Sequence, residues 1–250
     1  MRRLLLIAAA LAAGCSSTTP GSDDLGADLS PNMPPPDLAV AGPLHHVSSV
    51  WQAGGNPAAG ASVCVVEFPQ LPCAFADING ASSVAAPDHQ NVTLRYTLAG
   101  AYPVETTVAT SDHDLDIGAL TISGNQVWDD FFTGLGITRD PAKGDLIVAL
   151  RQVGTDAGAP VPVAGATVTL APASGVVTYT LDDGTPSTAQ TTTTSAGHLR
   201  VFNVNPGVVE LIVNAGGLTC RAAFGWSGGD NMLGMRIDQS VRSVAIAWCT

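Results

Sequence analysis

The chain has 250 residues, of which 46% are hydrophobic and only 12% are charged. Acidic residues number 21 against 10 basic ones, which gives a formal net charge of −11 at pH 7. Such a surface repels nucleic acids and anionic lipid headgroups, so we expect neither as a partner. After residue 14 there is no apolar run of the ~20 residues that a membrane-spanning helix needs, which predicts a globular domain.

The first fifteen residues are organised like an export signal. Two arginines precede an apolar run at residues 4–13, and the run ends in Leu11-Ala12-Ala13-Gly14-Cys15. This ending resembles the lipobox of bacterial lipoproteins. The resemblance implies that residues 1–14 are a signal peptide and that acylated Cys15 anchors the protein by lipid to a bacterial envelope membrane, expected to be the outer membrane. An ordinary secretory signal is the alternative.

Residues 15–43 are predicted to be a disordered tether. They are rich in Ser, Thr, Pro, Gly and Asp and offer little to bury. Their prolines favour an extended conformation that holds the folded part away from the lipid. The composition of this spacer is similar to that of myxobacterial envelope lipoproteins.

The remaining sequence contains a diverged internal repeat. The segment Pro57–Val65 (PAAGASVCV) aligns with Pro162–Leu170 (PVAGATVTL), 105 residues later. Each copy has a Pro and Gly turn followed by alternating small or polar and β-branched residues, which is typical of a strand with one buried face. In the later copy, residues 198–204, Pro206-Gly207 and residues 208–213 predict a strand, a tight turn and a second strand, as in a hairpin.

These motifs resemble the carboxypeptidase regulatory-like domain. The later copy carries the resemblance at Pro162–Leu170, Thr191–Gly197 and Phe202–Gly207. The earlier copy keeps Pro57–Val65 and a hairpin pattern at residues 94–104. The resemblance implies an all-β fold of two tandem transthyretin-like (prealbumin-like) β-sandwich domains, at residues 44–123 and 144–250. It implies no catalytic role, because the zinc and the catalytic glutamate of carboxypeptidases belong to a separate domain.

A short helix is predicted within a connector at residues 124–143. Apolar residues at positions 127, 128, 131, 132 and 135 fall on one face of a helix, which Gly134 and Gly136 end. We expect this face to be buried where the two domains meet. The alternative is that Trp128, Phe131 and Phe132 form a stripe that docks a partner.

Four cysteines follow Cys15, an even number in an oxidising compartment, which predicts disulfides. Three pairings are possible. The domain division places two cysteines in each half and favours Cys64 with Cys73 and Cys220 with Cys249. A zinc site is the alternative, but the gap between Cys64 and Cys73 is not the short spacing of structural zinc sites.

Two segments suggest chemistry. Gly225-Trp226-Ser227-Gly228-Gly229 matches the nucleophile elbow of serine hydrolases, but loop-forming residues follow Ser227 and no histidine lies after it. Asp112, Asp114 and Asp116 would share one face of a strand and are weak candidates for binding a hard cation such as Ca²⁺. A solvated edge or loop is the alternative interpretation of this cluster.

The sequence therefore predicts a non-catalytic, lipid-anchored envelope protein that binds a partner or has a structural role, without a cofactor. The expected partners are the membrane, through the lipid, and an unidentified envelope protein or polysaccharide. We predict a binding loop that contains Trp226, Ser227, Asp230 and Asn231. The alternatives are a purely structural spacer, a hydrolase that uses Ser227 and a cation-binding protein that uses the three aspartates.

Overall fold

The computed structural model of the chain describes residues 42–153 and 159–250. The predicted signal peptide at residues 1–14, the acylation site Cys15 and nearly all of the tether at residues 15–43 lie outside the described residues. Within the two described ranges, no helix combines the length and the apolar character needed to cross a membrane. Nearly all regular elements are strands, which confirms the predicted all-β fold class.

The first copy of the repeat forms a β-sandwich of two sheets. In one sheet, β1 pairs with β5 and β2 along one edge and with the parallel strand β8 along the other. The second sheet has the order β7-β6-β3-β4. Their inward residues form a single core, to which Val47, Val84 and Leu94 belong. The strands are β1 (Leu44–Ala53), β2 (Asn56–Pro57), β3 (Ser62–Val65), β4 (Ala74–Phe75), β5 (Ala81–Pro87), β6 (Asn91–Thr97), β7 (Val104–Ala109) and β8 (Leu115–Ile122).

The second copy follows the helix α1 (Asn125–Leu135) and forms a second sandwich. One of its sheets has the order β13-β12-β14-β9-β19, and the facing sheet has the order β11-β15-β18-β17. Leu146, Leu199 and Leu211 lie in the shared core. The strands are β9 (Gly144–Gln152), β10 (Val161–Pro162), β11 (Thr167–Ala171), β12 (Val176–Thr180), β13 (Pro186–Ser187), β14 (His198–Val204), β15 (Gly207–Asn214), β16 (Cys220–Phe224), β17 (Trp226–Gly229), β18 (Met232–Ile237) and β19 (Arg242–Cys249).

The internal repeat extends beyond the nine aligned residues. Strand β1 pairs with β2, β5 and, in parallel, β8, as β9 pairs with β10, β14 and, in parallel, β19. Strand β3 pairs with β6 as β11 pairs with β15. Equivalent positions are buried in both aligned segments because both alternate in the same register. The buried pairs are Ala58 with Val163, Ala61 with Ala166, Val63 with Val168 and Val65 with Leu170.

Two equivalent glycines show why the repeat retains its turns. Gly80 and Gly197 both have positive φ, at 78° and 63°. The carbonyl of Gly80 accepts a hydrogen bond from Trp51 N, and that of Gly197 accepts one from Leu150 N. A Cβ at Gly80 would lie 2.1 Å from the Trp51 carbonyl oxygen, and one at Gly197 would lie 2.8 Å from that of Leu150. Only glycine therefore fits either turn.

One strand joins the two sandwiches. β19 pairs in parallel with β9 along its length and, through residues 242–244, in parallel with β7 of the first copy. Its side chains alternate between the two cores. Ala245 and Ala247 lie in the second core, whereas Val244 and Ile246 pack against the first. A single 11-stranded sheet thus runs through both copies, and the domain boundaries at residues 123 and 144 stay predictions.

The helix α1 lies within the predicted connector, and its apolar face is buried. Trp128 and Phe132 pack against Phe202 of β14 in a small separate core. Gly136 ends the helix in the left-handed conformation that a C-terminal cap requires. Because Trp128 and Phe132 are covered, they are not available to dock a partner.

Both predicted disulfides are present. Cys64 is bonded to Cys73 and Cys220 to Cys249. Each bridge lies within one copy of the repeat. The second joins directly opposite residues of β16 and β19.

The predicted hairpin at residues 198–213 is wrong. β14 and β15 are strands, but β14 pairs with β12 and β9, whereas β15 pairs with β11 and β18 in the facing sheet. The turn therefore carries the chain across the sandwich. Asn203, which has a φ of 58°, lies just before this crossing.

Candidate functional site

A cleft of about 460 Å³ lies where the two copies meet. This volume falls within the range of about 300–1,000 Å³ that is usual for small-molecule sites. Residues of both copies contribute to its wall, so neither copy alone would form it. The lining residues are Glu67 and Asn91 from the first copy and Gly207, Val208, Trp226, Arg236 and Asp238 from the second.

The backbone at Gly225 brings Trp226 to this cleft. Strand β16 belongs to the large sheet and β17 to the facing sheet, so the chain turns a corner between them. Gly225 has a φ of 122°, and its N–H donates to the carbonyl of Thr107 at 2.7 Å. The corner ends one strand and starts the next at Trp226, on the open edge of the facing sheet.

A chain of ion pairs lies beside the tryptophan. Arg236 Nη1 lies 3.7 Å from Glu67 Oε1, and Arg236 Nε donates a hydrogen bond to Asp238 Oδ1 at 2.9 Å. Asp238 also accepts a hydrogen bond from Arg95, and Arg95 in turn donates to Glu105 at 2.6 Å. The chain of contacts therefore connects the first copy, through β6 and β7, to the end of β18 in the second. It contains three carboxylates and two guanidinium groups.

Glu105 is the least solvated member of this ion-pair network. Its side chain is fully buried, and one carboxylate oxygen, Oε2, has no hydrogen-bond partner among the described residues. Burial raises the pKa of Glu105 from 4.5 to about 7, although Arg95 opposes this rise. Near neutral pH the network is thus close to electrical balance. An anionic ligand would gain little from it.

The wall of the cleft combines an apolar part with planar polar groups. Trp226 is half-buried, and Val208 is 63% exposed. Carboxylate, guanidinium and amide groups can each form two parallel hydrogen bonds with a ligand that carries neighbouring polar atoms. The arrangement is suited to a polar, uncharged ligand that has one apolar face.

The structure corrects the predicted loop from Trp226 to Asn231. Residues 226–229 form strand β17, and only Asp230 and Asn231 lie in a turn. Glycine fits this strand because a Cβ at Gly228 would lie 3.1 Å from both Glu210 Oε1 and Met232 Cβ.

The two turn residues have structural contacts. Asp230 accepts a hydrogen bond from Arg221 at 2.8 Å. Asn231 accepts one from Cys220 N at 2.7 Å through its side chain and has a φ of 62°. Of the four predicted binding residues, Trp226 lines the cleft; a binding role for the set stays a prediction.

Ser227 does not occupy a nucleophile elbow. An elbow is a sharp turn between a strand and a helix. The backbone of Ser227 instead lies within β17 opposite Leu233, and the next element is strand β18. The side chain of Ser227 lies outside the described part of the structure. The match with the hydrolase pattern therefore lacks the backbone geometry that gives the pattern its chemical meaning.

The three candidate aspartates do not share one strand face, because β8 begins at Leu115. Asp112 accepts a hydrogen bond from His113, Asp114 accepts one from His46 N at 2.8 Å, and Asp116 accepts one from Gly118 N at 2.9 Å. No three His, Cys, Asp or Glu side chains within residues 42–153 and 159–250 are grouped so that they could hold a metal ion.

The charged residues of the cleft were not among the site residues predicted from the sequence. Arg95 and Glu105 are direct cross-strand partners in the β6–β7 hairpin, so the hairpin pattern could have located that pair. Glu67, Arg236 and Asp238 carry no local signal, because the fold of both copies brings them together.

No protein-family model matches the chain, and no curated protein matches it. Among solved structures, the chain is similar to GBS52, the minor pilin of Streptococcus agalactiae, with 13% identity, 82% of this chain and 95% of that chain covered, and a TM-score of 0.29. It is also similar to the shaft pilin SpaA from Lactobacillus rhamnosus GG, with 10% identity, 83% and 97% covered, and a TM-score of 0.23. We draw no function from likenesses of this size.

Proposed function

We propose that this protein is a non-catalytic binding module of the bacterial cell envelope, anchored to the outer membrane by a lipid on Cys15. The cleft beside Trp226 is the observation that carries the proposal. A lipid anchor with a proline-rich spacer at residues 15–43 suits a module that must reach a partner beyond the membrane surface.

The chemistry of the cleft favours a polysaccharide as the ligand. An indole ring packs against the C–H face of a sugar, while carboxylate, guanidinium and amide groups bind its hydroxyls in pairs. A neutral sugar also avoids both the net charge of −11 and the carboxylates of the ion-pair network.

The first experiment is crosslinking in cells, with mass spectrometry of the recovered protein and glycan. The wild type is compared with Cys15→Ala, which we expect to lose the membrane fraction and the crosslinked partner together. A Cys15→Ala protein that remained in the membrane would contradict the lipid anchor. Recovery of nothing beyond background would favour a purely structural spacer.

The second experiment tests the cleft. We expect Trp226→Ala to reduce recovery of the partner about tenfold or more, because a buried aromatic contact dominates binding at such a site. Trp248→Ala is the matched control, since Trp248 is also a partly exposed tryptophan, 38% accessible, but does not line this cleft. Equal recovery with both variants would remove the cleft from the proposal.

A serine-reactive probe should leave the purified protein unlabelled, and labelling at Ser227 would instead support the hydrolase.

A further inference from the structure

The two copies of the repeat differ at one sheet edge. In the second copy the outer edge of β14 is covered by β12, which pairs with it in an antiparallel arrangement. In the first copy the equivalent strand β5 pairs with β1 alone among the described strands. The connection from β3 to β5 spans only residues 66–80, and the Cys64–Cys73 bridge restrains it. Its one described strand, β4, pairs with β3 in the facing sheet, so this connection supplies no counterpart of β12, which lies in the longer connection at residues 172–197.

The register shows which backbone groups of β5 are left open. In an antiparallel pair, alternate residues direct both N–H and C=O towards the partner strand. Trp51 N donates to the carbonyl of Gly80, so the even-numbered residues of β5 bond to β1. Ser83 and Ala85 consequently point their N–H and C=O groups outwards. They occupy the positions after Gly80 that Arg200 and Phe202 occupy after Gly197, and in β14 these two residues lie opposite Thr178 and Val176 of β12.

The surroundings of this edge suit another strand. Residues 81–87, Ala-Ser-Ser-Val-Ala-Ala-Pro, carry no charge, whereas charges commonly protect open edges against pairing. A groove of about 390 Å³ adjoins this edge, and its lining includes Phe75 of β4, Ser82 and Ser83 of β5, Ser48 and Val50 of β1 and Asp116 of β8. Phe75 is 70% exposed. A β-branched or aromatic side chain from an added strand would cover this ring.

We propose that the outer edge of β5 accepts an extended, uncharged segment of a partner protein as an additional antiparallel strand. The backbone of the segment bonds to Ser83 and Ala85, as β12 bonds to the equivalent residues of β14. Its preferred residues are β-branched and hydroxyl-bearing, like Val176-Val177-Thr178. This site has no residue in common with the Trp226 cleft and does not depend on what that cleft binds.

The test uses the full mature chain and a fluorescent synthetic peptide with the sequence of Gly175–Leu181, GVVTYTL. Binding is measured by fluorescence anisotropy, and amide hydrogen exchange is measured at Ser83 and Ala85. We expect saturable binding below about 1 mM and slower exchange of both amides in the complex.

Two variants at one position separate backbone pairing from side-chain contact. Ser83→Pro removes the outward N–H without removing a bond to β1, and we expect it to weaken binding about tenfold or more. Ser83→Ala removes the same hydroxyl but keeps the N–H, so it should bind like the wild type. Should the proline variant not fold, the wild type is tested with peptides that are N-methylated at Thr178 or at Val177. Only methylation at Thr178 should abolish binding, because that N–H faces the edge.

Several results would overturn the proposal. They are the absence of saturable binding, equal affinity for Ser83→Pro and Ser83→Ala, or indifference to N-methylation at Thr178. A further such result is that the Ser83 and Ala85 amides already exchange slowly without peptide and exchange fast once residues 16–41 are deleted. That result would assign the edge to the chain's own spacer. A dimer that Ser83→Pro dissociates would assign it to a second copy of the chain.

Discussion

Replacing Glu105 with glutamine should stabilise the protein at alkaline pH, although it removes a charge that is paired with Arg95. The carboxylate is fully buried, and Oε2 has no partner within the described residues. Glutamine keeps the shape of the side chain and the oxygen that accepts a hydrogen bond from Arg95. Arg95 also retains its contact with Asp238. The substitution therefore mimics the protonated carboxyl without leaving the arginine alone.

The magnitude follows from the pKa of Glu105, which burial raises from 4.5 to about 7. Between these two values the unfolded chain has lost this proton while the folded protein still holds it, so unfolding becomes more favourable as pH rises. At about 1.36 kcal/mol for each unit, the ionised carboxylate costs the folded state about 3 kcal/mol above pH 7. Below pH 4.5 the carboxyl is neutral in both states, and the difference between glutamate and glutamine disappears.

The measurement is urea unfolding of wild type and Glu105→Gln from pH 4 to pH 8, with the disulfides intact. The difference between the two proteins at each pH removes the contributions of other groups. His198 is one of these, because burial lowers its pKa to about 4 and the protein loses stability as pH falls below 6.5. We expect Glu105→Gln to be more stable by about 3 kcal/mol at pH 8 and equal to wild type at pH 4. A variant that is less stable at pH 8, or that differs equally at all pH values, would refute the reasoning.

Two further predictions concern the shared sheet and the conserved turn geometry of the repeat. Leu94 and Leu211 lie in different cores, yet Leu94→Ala and Leu211→Ala should each lower the temperature of one common thermal transition, at a cost of about 2–5 kcal/mol of stability. A calorimetric trace with two separate transitions would contradict the coupling through β19. Gly80→Ala should be far more destabilising in thermal unfolding than Gly100→Ala. Both glycines have a φ near 78°, but only a Cβ at Gly80 would clash with a neighbouring atom, the Trp51 carbonyl oxygen. Equal losses of stability in the two variants would contradict this reasoning.

The sequence predicted the structure best where a local pattern favours one arrangement, as turn residues, paired cysteines and helical spacing do. The segment Pro57–Val65 and its counterpart 105 residues later place alanine, valine and leucine side chains at positions that the structure buries in both copies. The cysteine pairing could likewise be chosen, because each bridge lies within one copy of the repeat. The apolar face of α1 was recognisable from its helical spacing alone.

Strand partners were harder to predict, because alternation tells which face of a strand is buried and not which strand lies beside it. The β14–β15 turn was interpreted as a hairpin although the two strands lie in facing sheets. The pairing of β19 with both β9 and β7 has no local signal, since the partners are far apart in sequence. Most of the Trp226 cleft could not be predicted either, because residues that are far apart in sequence form it only when the two copies pair.

The two copies have diverged at their edges more than in their cores. The edge of β7 is paired with β19, whereas the edge of its counterpart β18 is paired with β17, which has no counterpart among the strands described for the first copy. Trp226 belongs to that additional strand. At the other sheet edge, β12 covers β14, whereas none of the described strands covers the outer edge of β5. Both surfaces that we assign to binding thus arise where the symmetry of the repeat is broken. Because an edge can change its partner without altering the residues that fill the core, new contacts could arise there at little cost in stability.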